Sequence, residues 1–272
     1  MKRLSPFNIT SLTLGFAFLY LPMILLVIYS FNSSKLVTVW AGFSTKWYGE
    51  LLRDEAFLDA ALVTIKVAVM SSALATVLGT MAAYVLVNGG RFFGRTLFSG
   101  MIYAPLVMPE VITGLSLLLL FIGIGMDRGV LTIVLAHTTF AMCYVSVVVS
   151  SRLVSFDRSL EEAALDLGCN RFDAFRLVTL PIIAPAVISG WLLAFTLSLD
   201  DLVIASFVSG PSSTTLPIKI WSSVRLGVSP EINALSTMMI GIVTIGVITA
   251  SLVSKRKSLN AQKDAQAAER AA

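Results

Sequence analysis

Three carboxylates lie inside apolar sequence, where a charge is hard to keep. Glu110 follows Pro109 near the middle of one hydrophobic run, and Asp200 and Asp201 sit together in Ser198-Leu199-Asp200-Asp201-Leu202 within another. A carboxylate at membrane depth is costly, so it faces either the protein interior or an aqueous path. On a path, such groups favour cationic solutes over anions. Neighbouring helical residues point about 100° apart, so the two aspartates cannot serve one spot. Ala194, Ser198, Asp201 and Ala205 form a small, polar stripe on that helix. The pattern therefore assigns Asp201 to the interior or pore and Asp200 to a partner on another helix, the alternative being that all three acids are structural. No pair of histidines or cysteines joins them. His137 is alone in an apolar run and reads as a packed, hydrogen-bonded residue, and Cys143 and Cys169 have neither metal-ligand spacing nor a partner.

A second constellation lies in the longest charged segment. Residues 162 to 181 read Glu162-Ala163-Ala164, then Gly168, then Val178, Leu180 and Pro181. Ser159 with Glu162 three residues on has the form of a capping box. Gly168 is placed to end that helix in a left-handed cap. Asn170 can cap the next helix, whose Phe172 and Phe175 share a face. Pro181 opens a long apolar run. A helical hairpin tied directly to a membrane helix is something that can be pushed from outside the bilayer.

The elements that must hold these residues are membrane helices. Hydrophobic residues make up 56% of the 272 positions and charged residues 13%, against about 25% charged in soluble domains. The expected fold is all-α, with six spans at about 9–31, 60–87, 98–121, 130–151, 182–208 and 234–253. These form one membrane domain over 1–253, with a charged loop at 152–181 and a polar tail at 254–272. With the N-terminus inside, Arg91, Arg95, Arg152, Arg158, Arg171, Arg176 and the basic residues of both termini lie on the inner side. Lys35, Lys46, Arg53, Arg128, Lys219 and Arg225 lie outside. That asymmetry predicts both termini and the charged loop in the cytoplasm. The net charge of +4 reflects this basic inner side and does not point to nucleic acid. Lys66 is expected to snorkel to the outer interface. Ser71, Ala75, Gly79 and Ala83 make a small-residue stripe for close helix packing. Trp40, Trp47, Tyr48 and Trp221 read as interfacial anchors, within outer loops that could also dock a partner.

The 162–181 pattern resembles the EAA loop of ABC-importer permease subunits, with Val178 where that family usually has Ile. Phe31-Asn32-Ser33-Ser34, Trp47-Tyr48, Ala104 to Gly114, Ser198-Leu199-Asp200-Asp201 and Phe207-Val208-Ser209-Gly210 look like the permeases of polyamine importers, putrescine importers above all. The resemblance implies a type I importer permease fold with both termini inside, in a bacterial inner membrane. It implies a heterodimer with a second, related permease subunit, two cytoplasmic ATPase subunits docked on the coupling loops, and a periplasmic polyamine-binding protein. In that reading Ser159, Glu162, Ala163, Ala164, Gly168, Leu180 and Pro181 shape the coupling loop, and Phe172 and Phe175 pack into the ATPase. Glu110, Asp200 and Asp201 are the path candidates. The chain has no Gly-Lys-Ser/Thr phosphate loop and no hydrolase motif. It is thus expected to be a transporter subunit, not an enzyme, with no cofactor of its own; ATP and Mg would be bound by the partner ATPase. A permease for spermidine or another small solute is the alternative, and an ion-coupled secondary transporter is the reading from a different class.

Overall fold

The computed structural model describes residues 5–36, 39–226, 230–245 and 248–249. Among these the chain is helical, with one isolated bridge between Asn32 and Phe43. It divides into two compact units, 1–55 with 222–272, and 56–221.

In the first unit, α1 (Pro6–Tyr29) is apolar on every side and buries none of its residues. Such a helix is made for lipid or another chain. The segment after it is tied down locally. The Asn32 side chain donates to the Val39 carbonyl and accepts from the Ala41 N–H. Trp47, on α2 (Lys46–Leu51), donates its indole N–H to the Asn32 carbonyl at 2.6 Å and is only 2% exposed. Trp47 is therefore not the interfacial anchor its type suggests: burial of the ring with its N–H satisfied makes it the core of this loop. Trp40, about half exposed, stays a candidate anchor.

The second unit holds the carboxylates and the charged loop. Here α3 (Glu55–Asn88) runs 34 residues without a proline. α6 (Val130–Val154) is the central helix, with two thirds of its apolar stretch buried. The small-residue stripe of α3 does bring these helices together. A Cβ on Gly79 would lie 2.7 Å from the Met142 carbonyl oxygen and 2.8 Å from Val145 Cβ, so only glycine permits this approach. Ala75, Ala83, Ala141, Val145, Val149, Ile183 and Ala194 complete the core between α3, α6 and α9 (Leu180–Asp200).

Four described helices are long and apolar enough to cross a membrane, five if one bent pair counts as a single span. The chain is a multi-pass membrane protein. The run over 98–121, whose Pro105 and Pro109 are expected from the sequence to kink or break the helix, is α4 (Arg95–Val107) and α5 (Glu110–Gly123), bent by 117°. The physical reason is Pro109. It lacks an N–H and pushes the preceding Met108 into extended backbone, at φ −75° and ψ 137°. The run expected at 182–208 also breaks: α9 stops at Asp200, and α10 (Val203–Val208) restarts after Asp201 and Leu202. At its other end it begins earlier, because helix continues back to Arg171. α11 (Leu216–Leu226) follows. Of the run expected at 234–253, the described part belongs to a shorter apolar helix, Pro230–Ile245. The tail 254–272 lies outside the described residues.

Candidate functional site

Two regions of the second unit place the residues singled out above. The first is the charged hairpin, built of α7 (Ser159–Asp166), α8 (Arg171–Ala174) and a π turn at Phe175–Thr179 that runs into α9. Gly168 sits at φ +95°. Its N–H donates to the Leu165 carbonyl at 3.0 Å, and the Cys169 N–H donates to the Ala164 carbonyl at 3.1 Å. These two bonds are a Schellman cap, as the sequence predicts. Asn170 accepts from the Asp173 N–H at 2.9 Å and donates to the Asp173 carboxylate at 2.6 Å, which caps α8.

The other cap differs from expectation. Ser159 makes no capping box with Glu162. Asp157 accepts the Ser159 N–H at 3.0 Å and takes over the start of α7. The hydroxyl and backbone N–H of Ser159 hold the Asp157 carboxyl below the usual carboxylate range. An aspartate two residues ahead competes successfully because its short side chain closes an Asx turn with little loss of freedom.

The π turn has a visible cause. Pro181 has no N–H to offer the Leu177 carbonyl, and Pro185 has none for the Pro181 carbonyl. The first turns of α9 are short of two helix bonds, and the chain takes a wider turn just before them.

The glutamate that grips the hairpin is Glu161, which sequence reasoning passed over. Its carboxylate accepts from the Tyr84 hydroxyl at 2.7 Å and from the Thr179 hydroxyl at 3.1 Å. Arg158 donates to the Val87 carbonyl at 2.9 Å. Tyr84, Arg158 and Glu161, together with Asn88, Glu162, Leu165 and Arg171, line a cleft of about 310 Å³ between the hairpin and the end of α3. Phe175 stands edge-on to Tyr84 with ring centroids 4.9 Å apart, while Phe172 is 69% exposed. The two phenylalanines therefore part company, and only Phe172 is free to meet another protein. Glu162, Ala163, Leu165 and Leu167 are exposed as well, whereas Ala164 is buried and Leu180 and Pro181 enter α9.

The second region is the break between α9 and α10. Asp201 is in extended backbone at φ −65° and ψ 120°. Its carboxylate accepts the Ala205 N–H at 2.7 Å and the Ile204 N–H at 3.3 Å, capping α10. The same carboxylate lies 3.0 Å from His137 Nε2 on α6. His137 Nδ1 lies 2.6 Å from the Ser198 hydroxyl, which accepts from Ser71 on α3 at 3.1 Å. One set of protons satisfies the row. Ser71 donates to Ser198, Ser198 to His137, and His137 through Nε2–H to Asp201. The histidine is packed and hydrogen-bonded, as its isolation in the sequence suggests.

Asp201 lies in the interior, as its stripe suggests, but the interhelical bond expected of Asp200 is made by Asp201 instead. Asp201 is the buried interhelical partner. Asp200, the last residue of α9, is exposed and forms no ion pair with any described residue. The 100° rule assumed an unbroken helix, and a carboxylate able to cap α10 ended that helix at Asp200, short of the expected 208. Glu110 is also exposed, in the first turn of α5 at the 117° bend, where a helix N-terminus favours a negative charge. Each of the three acids thus lies at a helix end and not in a helix middle. Lys66 is exposed on α3.

Residues 75–257 match the family of binding-protein-dependent transport system inner membrane components. The chain is 59% identical over 98% of its length to the putrescine transport system permease protein PotI of Escherichia coli (strain K12), 97% of which is covered. It is 42% identical over 91% of its length to the spermidine/putrescine transport system permease protein PotC of the same organism, with 93% of that protein covered. Its fold is similar to that of a chain in a bacterial ABC transporter that imports the acidic polysaccharide alginate. That match has a TM-score of 0.71 and 19% identity, and covers 94% of this chain and 99% of the other.

Proposed function

This chain belongs to the family of binding-protein-dependent transport system inner membrane components, and on that premise we propose that it is the permease subunit through which an ATP-driven importer moves putrescine into the cytoplasm. It is a transport component and not an enzyme. The observation that carries the substrate is the 59% identity to PotI over nearly the whole chain. The 42% identity to PotC makes spermidine the competing substrate.

In this reading the protein sits in a bacterial inner membrane with both termini inside. It crosses through α1, α3, the bent pair α4–α5, α6, the α8–α9 body and a sixth span containing Pro230–Ile245. It pairs with a second permease subunit. A separate ATPase holds ATP and Mg, and a periplasmic binding protein delivers the polyamine. The α7–α8 hairpin is the coupling loop. Gly168 and Asn170 fix its shape, and Glu162, Ala163, Leu165, Leu167 and Phe172 face the ATPase. The caps at Gly168 and Asn170 fix the turn between α7 and α8, so a push on the hairpin displaces these two helices as one piece.

Asp200 and Glu110 are the carboxylates offered to the solute. Putrescine carries an ammonium at each end, and a free carboxylate at a helix break can replace part of the water an ammonium gives up on leaving bulk solvent. Asp201 contributes indirectly, by holding the break open.

Labelled putrescine uptake tests the proposal in a polyamine-transport-deficient strain carrying this chain with its partner subunits. Uptake should require ATP hydrolysis and be competed by unlabelled putrescine more than by spermidine. Uptake unaffected when the ATPase is disabled would indicate an ion-coupled carrier instead. Import of a different solute would keep the importer and change its cargo.

A further inference from the structure

The hairpin and the break are joined by two routes. The direct one is α9, which starts at the hairpin and ends at Asp200. Its base is the weakest part of the helix, with a π turn at Phe175–Thr179 and two prolines, Pro181 and Pro185, within six residues of it. A helix short of backbone bonds bends there under load. The other route is α3, an unbroken 34-residue helix with no proline. At one end Tyr84 is held by Glu161 of the hairpin at 2.7 Å. Some thirteen residues away, about 20 Å along the axis, Ser71 is hydrogen-bonded to Ser198 at 3.1 Å. Ser198 is bonded to His137, and His137 to the Asp201 carboxylate that caps α10.

We propose that α3 is the strut that carries movement of the hairpin to the α9–α10 break, with Glu161–Tyr84 as its input and Ser71–Ser198 as its output. The proposal rests on the importer reading above. Tyr84, Glu161 and Ser71 are positioning residues: they touch neither ATP nor solute. Both ends of the strut are held by polar bonds, which break and reform at defined geometry. The middle is held by close apolar packing against α6 around Gly79. Glu161 has a second bond, from Thr179 at 3.1 Å, so a shift of α7 acts on α3 and on the π turn together. The compliant base of α9 then lets the hairpin move while α3 takes the displacement.

The test uses the whole transporter, reconstituted with its partner subunits, and reads putrescine imported per ATP hydrolysed. Tyr84→Phe keeps the ring against Phe175 and removes one hydroxyl. It should lower transport per ATP about tenfold, the size of one hydrogen bond to a charged group, while ATPase turnover stays at the wild-type rate. Glu161→Gln, whose amide oxygen still accepts from Tyr84, should retain most of the coupling. Glu161→Ala, which also removes the bond from Thr179, should lose at least as much as Tyr84→Phe, and the two together should be no worse than Glu161→Ala alone. Ser71→Ala should uncouple in the same way from the other end. Wild-type transport per ATP in Tyr84→Phe and Ser71→Ala would overturn the strut and leave α9 as the route, with the importer reading intact. Loss of ATPase turnover in Tyr84→Phe would also overturn it, since Tyr84 would then be shaping the docking surface. A wild-type complex that imports nothing with ATP would remove the importer reading and the strut with it.

Discussion

The hairpin and the α9–α10 break each contain two adjacent acids, and in each place the pair is divided. In the hairpin, Glu161 turns inward to Tyr84 and Thr179 while Glu162 is exposed. At the break, Asp201 turns inward to His137 and two backbone N–H groups while Asp200 is exposed. One acid of each pair is bound within the fold and its neighbour is exposed. The surroundings differ. Glu161 is half-buried at a cleft open to solvent, so its bonds compete with water. Asp201 is 9% exposed among apolar helices, where a lost partner leaves a charge with nothing to replace it. The same division of labour should therefore be modest in stability at the hairpin and large at the break.

The largest effect expected is that of Asp201→Ala. It removes the cap of α10 and leaves His137 without its acceptor, and should destabilise the purified complex by about 3 kcal/mol, read as a fall in its thermal midpoint in detergent. His137→Ala should fall in the same range, and a combined variant should cost less than the sum. Asp200→Asn should do the opposite: an unchanged midpoint, with putrescine KM raised about tenfold by loss of one charge-assisted contact. Equal stability losses in the two aspartate variants would erase the distinction between them.

At the hairpin, Gly168→Ala should cost about 1 kcal/mol, because φ +95° strains any residue with a Cβ even though the space around it is open. Gly168→Asn should be milder, since asparagine tolerates left-handed backbone. Transport assays should rank the three as Gly, Asn, Ala. The smallest effect concerns Asp157. Its folded carboxyl is held below its ordinary value by Ser159, so its contribution to α7 is present at neutral pH and is lost only as pH falls through the aspartate range. Protection of the first-turn amides of α7, taken relative to the intrinsic exchange rate at each pH, should be flat across neutral pH and fall only in acid, and Asp157→Ala should show the weaker protection throughout.

Where the sequence was legible, the rules were local. Gly168 and Asn170 are legible because a left-handed cap and an N-cap depend on a few adjacent residues, and the structure has both. Close packing of α3 was legible from Gly79 and its stripe for the same reason: four-residue spacing is a property of one helix. Asp157 replaced Ser159 as the cap because two local solutions were available and spacing alone did not rank them. Phe175 left the face it shares with Phe172 because Tyr84, ninety-one positions earlier in the chain, is there to receive it.

By itself the sequence determined that this is a multi-pass helical membrane protein, that a capped hairpin interrupts it, and that acids sit in apolar runs. Composition, caps and spacing act over a turn or two of helix, so they can be read in order along the chain. Only the tertiary structure decided which acid of each pair is bound. That choice depends on Tyr84 of α3 reaching Glu161 and on His137 of α6 reaching Asp201. A buried carboxylate takes whichever donors the packing of distant helices brings within hydrogen-bond reach, and a single chain of letters does not contain that distance.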